Sequence, residues 1–195
     1  MDSDILIYIQ EYIRNDVLTP FMIMLTHTGD YGALALAVMF ILLIIKKTRR
    51  LGHVVAFSLL IESVITNVIL KNLVARTRPY EIIEDLILLI EEQKDFSFPS
   101  GHAGITFAFA GAMLFSFMYG VKGFEKCKRN SIIVLVVLLY AELLAFSRLY
   151  VGVHYPTDVF AGMLIGIASG FAAYFIEKKV GNAWERRGSR KPAEV

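Results

Sequence analysis

Residues 132–146 read IIVLVVLLYAELLAF, and residues 147–158 continue SRLYVGVHYPTD. The first stretch is an apolar run with one ionisable residue, Glu142, and the second brings Ser147, Arg148, His154 and Asp158 close together. A soluble chain has to hide such a run in a core, whereas a bilayer accepts it directly. A hydrocarbon layer about 30 Å thick takes roughly 17 to 25 helical residues, and somewhat fewer where flanking Lys and Arg snorkel. The run therefore reads as a membrane span that ends in a polar cluster at one face.

Outward from it lie four more runs of the same character, at residues 31–45, 54–70, 105–121 and 159–176. A chain of 195 residues that is 56% hydrophobic, with mean hydropathy +0.57, has no soluble core large enough for five of them. The expected fold class is all-α: a polytopic membrane helix bundle with five spans plus a short N-terminal sixth helix at residues 17–28. Residues 5–13 carry Gln10 and Glu11 and are followed by Arg14, Asn15 and Asp16, so they read as an interfacial amphipathic helix. The expected organisation is a segment 1–29 of interfacial and short helix, a membrane core 30–178, and a polar tail 179–195, partly disordered from Asn182. Five spans put the N-terminus outside and six put it inside. The opening Met-Asp-Ser-Asp lacks the features of a cleaved signal peptide, so the spans are expected to direct insertion.

The net charge of +2 hides its distribution. Lys46, Lys47, Arg49 and Arg50 form one basic cluster, Lys122 to Arg129 a second, and Lys178 to Lys191 a third. The positive-inside trend makes all three cytoplasmic. The single cysteine, Cys127, excludes an internal disulfide framework and falls in the second cluster. Alternation then sets residues 72–100 and 147–158 outside, giving a multi-pass cell-membrane protein. Lys71, Arg76, Arg78 and Arg148 lie on that outer side against the trend, and anion binding gives a local reason for them. Short clusters between apolar runs are not the pattern of a nucleic-acid binder. Membrane lipids are the expected surroundings, and no protein partner can be inferred.

Three polar clusters share the outer face: Lys71 to Pro79, Pro99-Ser100-Gly101-His102, and Ser147 to Asp158. Ser100 is a good helix N-cap and Gly101 permits close approach, so the free N–H groups there form an anion site. Lys71, Arg78 and Arg148 add positive charge suited to phosphate. Pro156 fits a first helical turn, which sets Asp158 one turn beyond His154. Asp158 can then fix one imidazole nitrogen and leave the other as nucleophile. His102 is free to act as general acid on the leaving oxygen. Arg76 suits lipid headgroups as well as substrate, and Glu62 and Glu142, inside predicted spans, are expected to make bundle contacts rather than chemistry.

These residues resemble the three-part signature of the type-2 phosphatidic acid phosphatase and vanadium haloperoxidase superfamily: K-x6-RP, then PSGH, then SR-x5-H-x3-D. Lys71, Arg78 and Pro79 fill the first part, Pro99 to His102 the second, and Ser147, Arg148, His154 and Asp158 the third. The resemblance implies that His154 becomes a phosphohistidine supported by Asp158, and that His102 protonates the leaving group. It implies that Lys71, Arg78, Ser100, the Gly101 amide and Arg148 hold the phosphoryl oxygens, and that no metal or other cofactor is needed.

The implied function is a lipid phosphate or diphosphate phosphatase acting at the outer membrane face. Undecaprenyl diphosphate is slightly favoured, with phosphatidate and phosphatidylglycerol phosphate as alternatives. Five spans argue against a soluble-type haloperoxidase. The pairing of His154 with Asp158 argues against a binder or transporter that recognises lipid phosphate without cleaving it.

Overall fold

The computed structural model describes the backbone of residues 2–188 and the side chains of residues 2–181. The described residues form helices and loops only. Helix α1 is Asp2–Tyr8, continued by a π-turn Ile9–Ile13; α2 is Leu18–His27 and α3 Ala33–Ile44. Helix α4 begins at Arg49–Ser63, widens through a π-turn Val64–Leu70 and closes with Lys71–Val74. A short α5, Pro79–Ile82, precedes α6, Gly101–Tyr119; α7 is Lys128–Tyr150 and α8 Pro156–Gly188.

Four of these segments are long and apolar enough to cross a membrane: 49–82, 101–119, 128–150 and 156–181. The span expected at 31–45 does not stand alone. Its helix α3 has 12 residues and reaches crossing length only together with α2, to which it joins at a 46° bend. The short sixth helix expected from the sequence is thus joined to α3 in one bent pair, and the described residues give four crossings, or five if that pair is one span.

Helices α6 and α8 form the centre, and their contact depends on missing side chains. Gly162, Gly166 and Gly170 repeat every four residues on one stripe of α8, facing the backbone of α6. A Cβ on Gly166 would lie 2.5 Å from the Gly104 carbonyl oxygen and 2.6 Å from the Ala108 nitrogen. Small residues at this spacing let helix backbones approach and gain dispersion contact where lipid offers no hydrophobic drive. Ser100 N donates to the Asp158 carbonyl at 3.0 Å, so the first turns of α6 and α8 meet.

Glu62 of α4 is fully buried against α6, where a Cβ on Gly104 would overlap its Oε1. Neither of its carboxylate oxygens has a hydrogen-bond partner among the described residues. Glu142 differs from its expected bundle contact: it is exposed, because α7 buries the stripe through Ala141, Leu144 and Ala145.

Helix α1 docks through Leu6 onto Leu86 and Tyr155, and the π-turn after it through Ile9 onto Met22, Leu25 and Tyr150. These contacts lie at the end of the bundle that carries the three polar clusters. At the opposite end Lys46, Lys47, Arg49, Arg50 and Lys122 line one cavity, so two of the three basic clusters share a face. Helix α8 continues past Asn182 to Gly188, beyond the expected start of the polar tail, and residues 189–195 lie outside the described residues.

Candidate functional site

Each polar cluster reaches the site by a local device. Ala75 adopts a left-handed conformation (φ 46°) that stops α4 just after Lys71 and turns the chain back, so that Arg76 and Arg78 return across the bundle end. Ser100 caps α6, its side chain accepting from Ala103 N at 3.5 Å. A Cβ on Gly101 would sit 3.8 Å from Lys71 Nζ, which sets that ammonium over the start of α6. Pro156 opens α8 as expected and leaves Asp158 in its first turn.

His154 is buried at the meeting point. Its Nδ1 lies 3.6 Å from Asp158 Oδ2 and its Nε2 3.5 Å from Arg78 Nη1. The Asp158 distance is longer than a formed hydrogen bond. Burial drives the His154 imidazole down to about 3, with Asp158 opposing the fall and Arg78 and Arg148 adding to it. The ring is therefore neutral at pH 7, which is the nucleophilic form.

Asp158 is itself fixed from several sides. Ser97 Oγ donates to its Oδ2 at 2.5 Å, Tyr155 N donates to the same oxygen at 2.9 Å, and Arg76 Nη1 donates to Oδ1 at 2.6 Å. Arg76 also reaches Thr157 at 2.7 Å and Asp2 at 3.1 Å, and lies over the Tyr155 ring at 3.9 Å. The structure thus gives Arg76 a definite place: it holds the carboxylate behind His154.

The expected phosphate ligands converge, and a carboxylate sits among them. Asp95, from the loop between α5 and α6, is ion-paired with Lys71 and accepts from Arg78 Nη2 at 2.6 Å. Arg78 Nε donates to the Asp95 carbonyl at 2.8 Å and its Nη1 to the Val153 carbonyl at 2.8 Å. Burial works against ionisation of Asp95, but Lys71 and then Arg78 more than offset it and hold the carboxyl down at about 2. Arg148 is almost fully buried; its Nη1 donates to Thr26 Oγ1 at 2.6 Å, while its Nε has no hydrogen-bond partner among the described residues. A buried guanidinium edge without an acceptor is costly unless an anion supplies one.

Lys71, Gly101 and His102 line a polar cavity of about 760 Å³ together with Asp30 and Asp95. His102 Nε2 lies 3.1 Å from Asp30 Oδ1. Beside this cavity runs an apolar groove of about 330 Å³, lined by Leu34, Val38, Phe109, Val136 and Tyr140. Gly29, Gly32 and Ile105 border both, so the polar cavity and the apolar groove adjoin. Among the described residues no group of three or more His, Cys, Asp or Glu is placed to hold a metal ion.

The fold brings the eight residues singled out in the sequence to one end of the bundle, and sets beside them Asp95, Ser97, Thr26 and Asp30, which the sequence did not mark. Ser97 and Asp95 lie just before the PSGH stretch, yet nothing in their spacing marks them. Thr26 and Asp30 arrive from the α2–α3 bend, which only tertiary structure brings near.

The fold and the site define a multi-pass membrane protein with a buried imidazole and three cationic side chains, Lys71, Arg78 and Arg148, at one end of its bundle. Residues 51–181 match the PAP2 superfamily, and the chain belongs to that family. It is 34% identical over 137 residues to an undecaprenyl-diphosphatase of Sulfolobus acidocaldarius, covering 70% of this chain and 60% of that protein. It is 33% identical over 137 residues to a lipid A 4'-phosphatase of Bacteroides thetaiotaomicron, covering 67% and 56%. The match thus spans about three fifths of the length of those relatives. Against the undecaprenyl-diphosphatase BcrC of Bacillus subtilis the identity is 28% over 160 residues, covering 81% and 74%. Among solved structures it resembles LpxE of Aquifex aeolicus, with TM-score 0.69, 26% identity and coverage of 88% and 93%. It also resembles a transmembrane PAP2-type phosphatidylglycerolphosphate phosphatase of Bacillus subtilis, with TM-score 0.72, 25% identity and coverage of 92% and 85%.

Proposed function

We propose that the chain is a membrane phosphatase that hydrolyses a lipid phosphate or diphosphate through a phosphohistidine on His154. The observation that carries this reading is the position of His154, neutral and buried, between the Asp158 carboxylate and the Arg78 guanidinium. A binder needs the cations alone; an oriented neutral imidazole is what phosphoryl capture adds.

In the first step the His154 Nε2 lone pair attacks phosphorus and the bond to the leaving oxygen breaks, while His102 gives that oxygen a proton. Asp158 stabilises the imidazolium character that develops on His154. Lys71, Arg78, Arg148, the Ser100 cap and the Gly101 amide meet the charge on the remaining oxygens, the electrostatic contribution that is usually largest in such reactions. In the second step water attacks phosphorus, His102 takes its proton, and the P–N bond breaks to release inorganic phosphate. The cycle closes with both histidines restored.

The adjoining apolar groove supports a lipid rather than a soluble ester as substrate, with the headgroup in the polar cavity and the chain along Leu34, Val38 and Val136. Similarity to proteins named as undecaprenyl-diphosphatases favours a polyprenyl diphosphate over phosphatidate or phosphatidylglycerol phosphate. Two basic clusters on the far face support an outward-facing site by the positive-inside trend. The test is turnover by the purified protein on a panel of these lipids in detergent, with trapping of an acid-labile phosphoenzyme. Absence of both turnover and phosphoenzyme on every lipid would sink the reading.

A further inference from the structure

The bend between α2 and α3 carries an acid for which the reaction above has no role. Asp30 Oδ1 lies 3.1 Å from His102 Nε2, and its Oδ2 lies 2.8 Å from His27 Nδ1. The bend holds this position by unusual backbone: Tyr31 (φ 55°) and Gly32 (φ 64°) are consecutive left-handed residues, a conformation that an aromatic residue rarely adopts. The bend is also pressed onto the ring, since a Cβ on Gly29 would lie 2.7 Å from His102 Cδ2. Tyr31 is 96% exposed, so its own packing does not account for the strained turn. The turn instead delivers Asp30.

His102 needs a counter-charge. Lys71 and Arg148 both act on it as cations, and it sits in the first turn of α6, whose N-terminus adds partial positive charge. We infer that Asp30 is a positioning residue for His102: it accepts from Nε2–H, supports the imidazolium form, and leaves Nδ1 to hand the proton to the leaving oxygen. His27, on the exposed side, holds the second carboxylate oxygen and so fixes the tilt of Asp30. This inference rests on the reading of His102 as the proton donor.

The experiment is a series of short-chain phosphate esters whose leaving groups run from p-nitrophenol to a simple alcohol, with log kcat/KM plotted against leaving-group pKa. His102→Ala should steepen the plot, with roughly 10²- to 10⁴-fold loss on the alkyl ester and little on the p-nitrophenyl ester. Asp30→Asn should steepen it in the same sense, with about 10- to 100-fold loss on the alkyl ester, a part of the general-acid effect. On the His102→Ala background Asp30→Asn should add nothing, because it acts through that ring. If His102→Ala lowers all esters equally, the proton-donor reading itself fails. If His102→Ala steepens the plot but Asp30→Asn lowers all esters equally, leaves them unchanged, or adds its full loss to His102→Ala, the Asp30 inference is overturned. Should Asp30→Asn not yield monodisperse protein, Asp30→Glu carries the test: it keeps the charge but displaces it, so a smaller loss confined to poor leaving groups is expected. A uniform loss with Asp30→Glu overturns the inference.

Discussion

Arg78 donates through Nη2 to Asp95 Oδ1 at 2.6 Å, so a cation suited to phosphate is held by a carboxylate of its own chain. Lys71 is engaged by the other oxygen of the same group. On the proposed function, a phosphoryl group that enters displaces Asp95 from both.

Asp95→Asn should therefore tighten anion binding. Vanadate, which mimics phosphate, is expected to inhibit the variant at about three- to tenfold lower concentration, since tenfold corresponds to 1.4 kcal/mol and the displaced pair is partly solvated. Competitive inhibition constants measured at constant ionic strength decide it. A weaker inhibition would mean that Asp95 instead holds the two cations in place.

His154→Ala should abolish turnover and phosphoenzyme while the protein stays folded and monodisperse in detergent. Asp158→Asn should retain a little activity, because the nucleophile survives with its orientation disturbed. Arg76→Ala should resemble a mild Asp158→Asn, lowering kcat more than it raises KM, because Arg76 touches the carboxylate and not the polar cavity. Activity of His154→Ala within tenfold of the parent protein would contradict the assignment.

Acid should weaken the fold in two stages. His154 takes a proton near its ordinary value of 6.5 when unfolded but only at about 3 when folded, so its burial costs stability progressively as pH falls below 6.5. One proton taken up on unfolding gives a slope of about 1.4 kcal/mol per pH unit. Asp95, held at about 2, contributes stability that is present above its ordinary value of 3.8 and is lost between there and 2. Thermal unfolding of the detergent-solubilised protein between pH 4 and 8 should show the first limb, and His154→Gln should flatten it.

Gly166→Ala should be more damaging than its single methyl group implies. The added carbon meets two backbone atoms of α6 at 2.5 and 2.6 Å, and backbone cannot rotate away. Overpacking of this kind costs about 1–3 kcal/mol. A lower unfolding temperature is expected, with activity reduced because Ser100 and Asp158 belong to the two helices forced apart. An unchanged unfolding temperature would show that the seam yields elsewhere.

Cys127 is exposed and lies in the second of the three basic clusters. In intact cells a membrane-impermeant maleimide should miss it but label a cysteine placed at Gln93 in a Cys127→Ser background. The reverse pattern would turn the site inward.

Much of this was legible in the sequence because the decisive signals are local. Helix-length apolar runs define the four long helices, and Ser100, Gly101 and Pro156 announce helix starts whose geometry follows from capping and fixed φ. His154 and Asp158 are one helical turn apart, so their meeting needs no tertiary knowledge. The bent pair of α2 and α3 was not legible, because the bend at Asp30 to Gly32 depends on left-handed backbone at a tyrosine, which no propensity favours. Asp95 and Asp30 escaped for a related reason. An acid in a loop looks the same whether it faces water or a buried cation, and only the fold distinguishes them. Glu142 went the other way, since a rotation of α7 by part of a turn decides whether its carboxylate meets the bundle.

The seam of Gly162, Gly166 and Gly170 also bears on motion. Two helices in backbone contact have no flexible side chains between them to absorb a slide or a twist, so α6 and α8 travel as one rigid body. Ser100, His102 and Asp158 ride on it together. Any relative motion within the bundle then falls to neighbours packed through side chains, such as α3 and α7, and to the bend at Asp30. The bend that carries Asp30 borders the apolar groove through Gly29 and Gly32 and also touches His102, so a displacement of the groove wall there is felt at that ring.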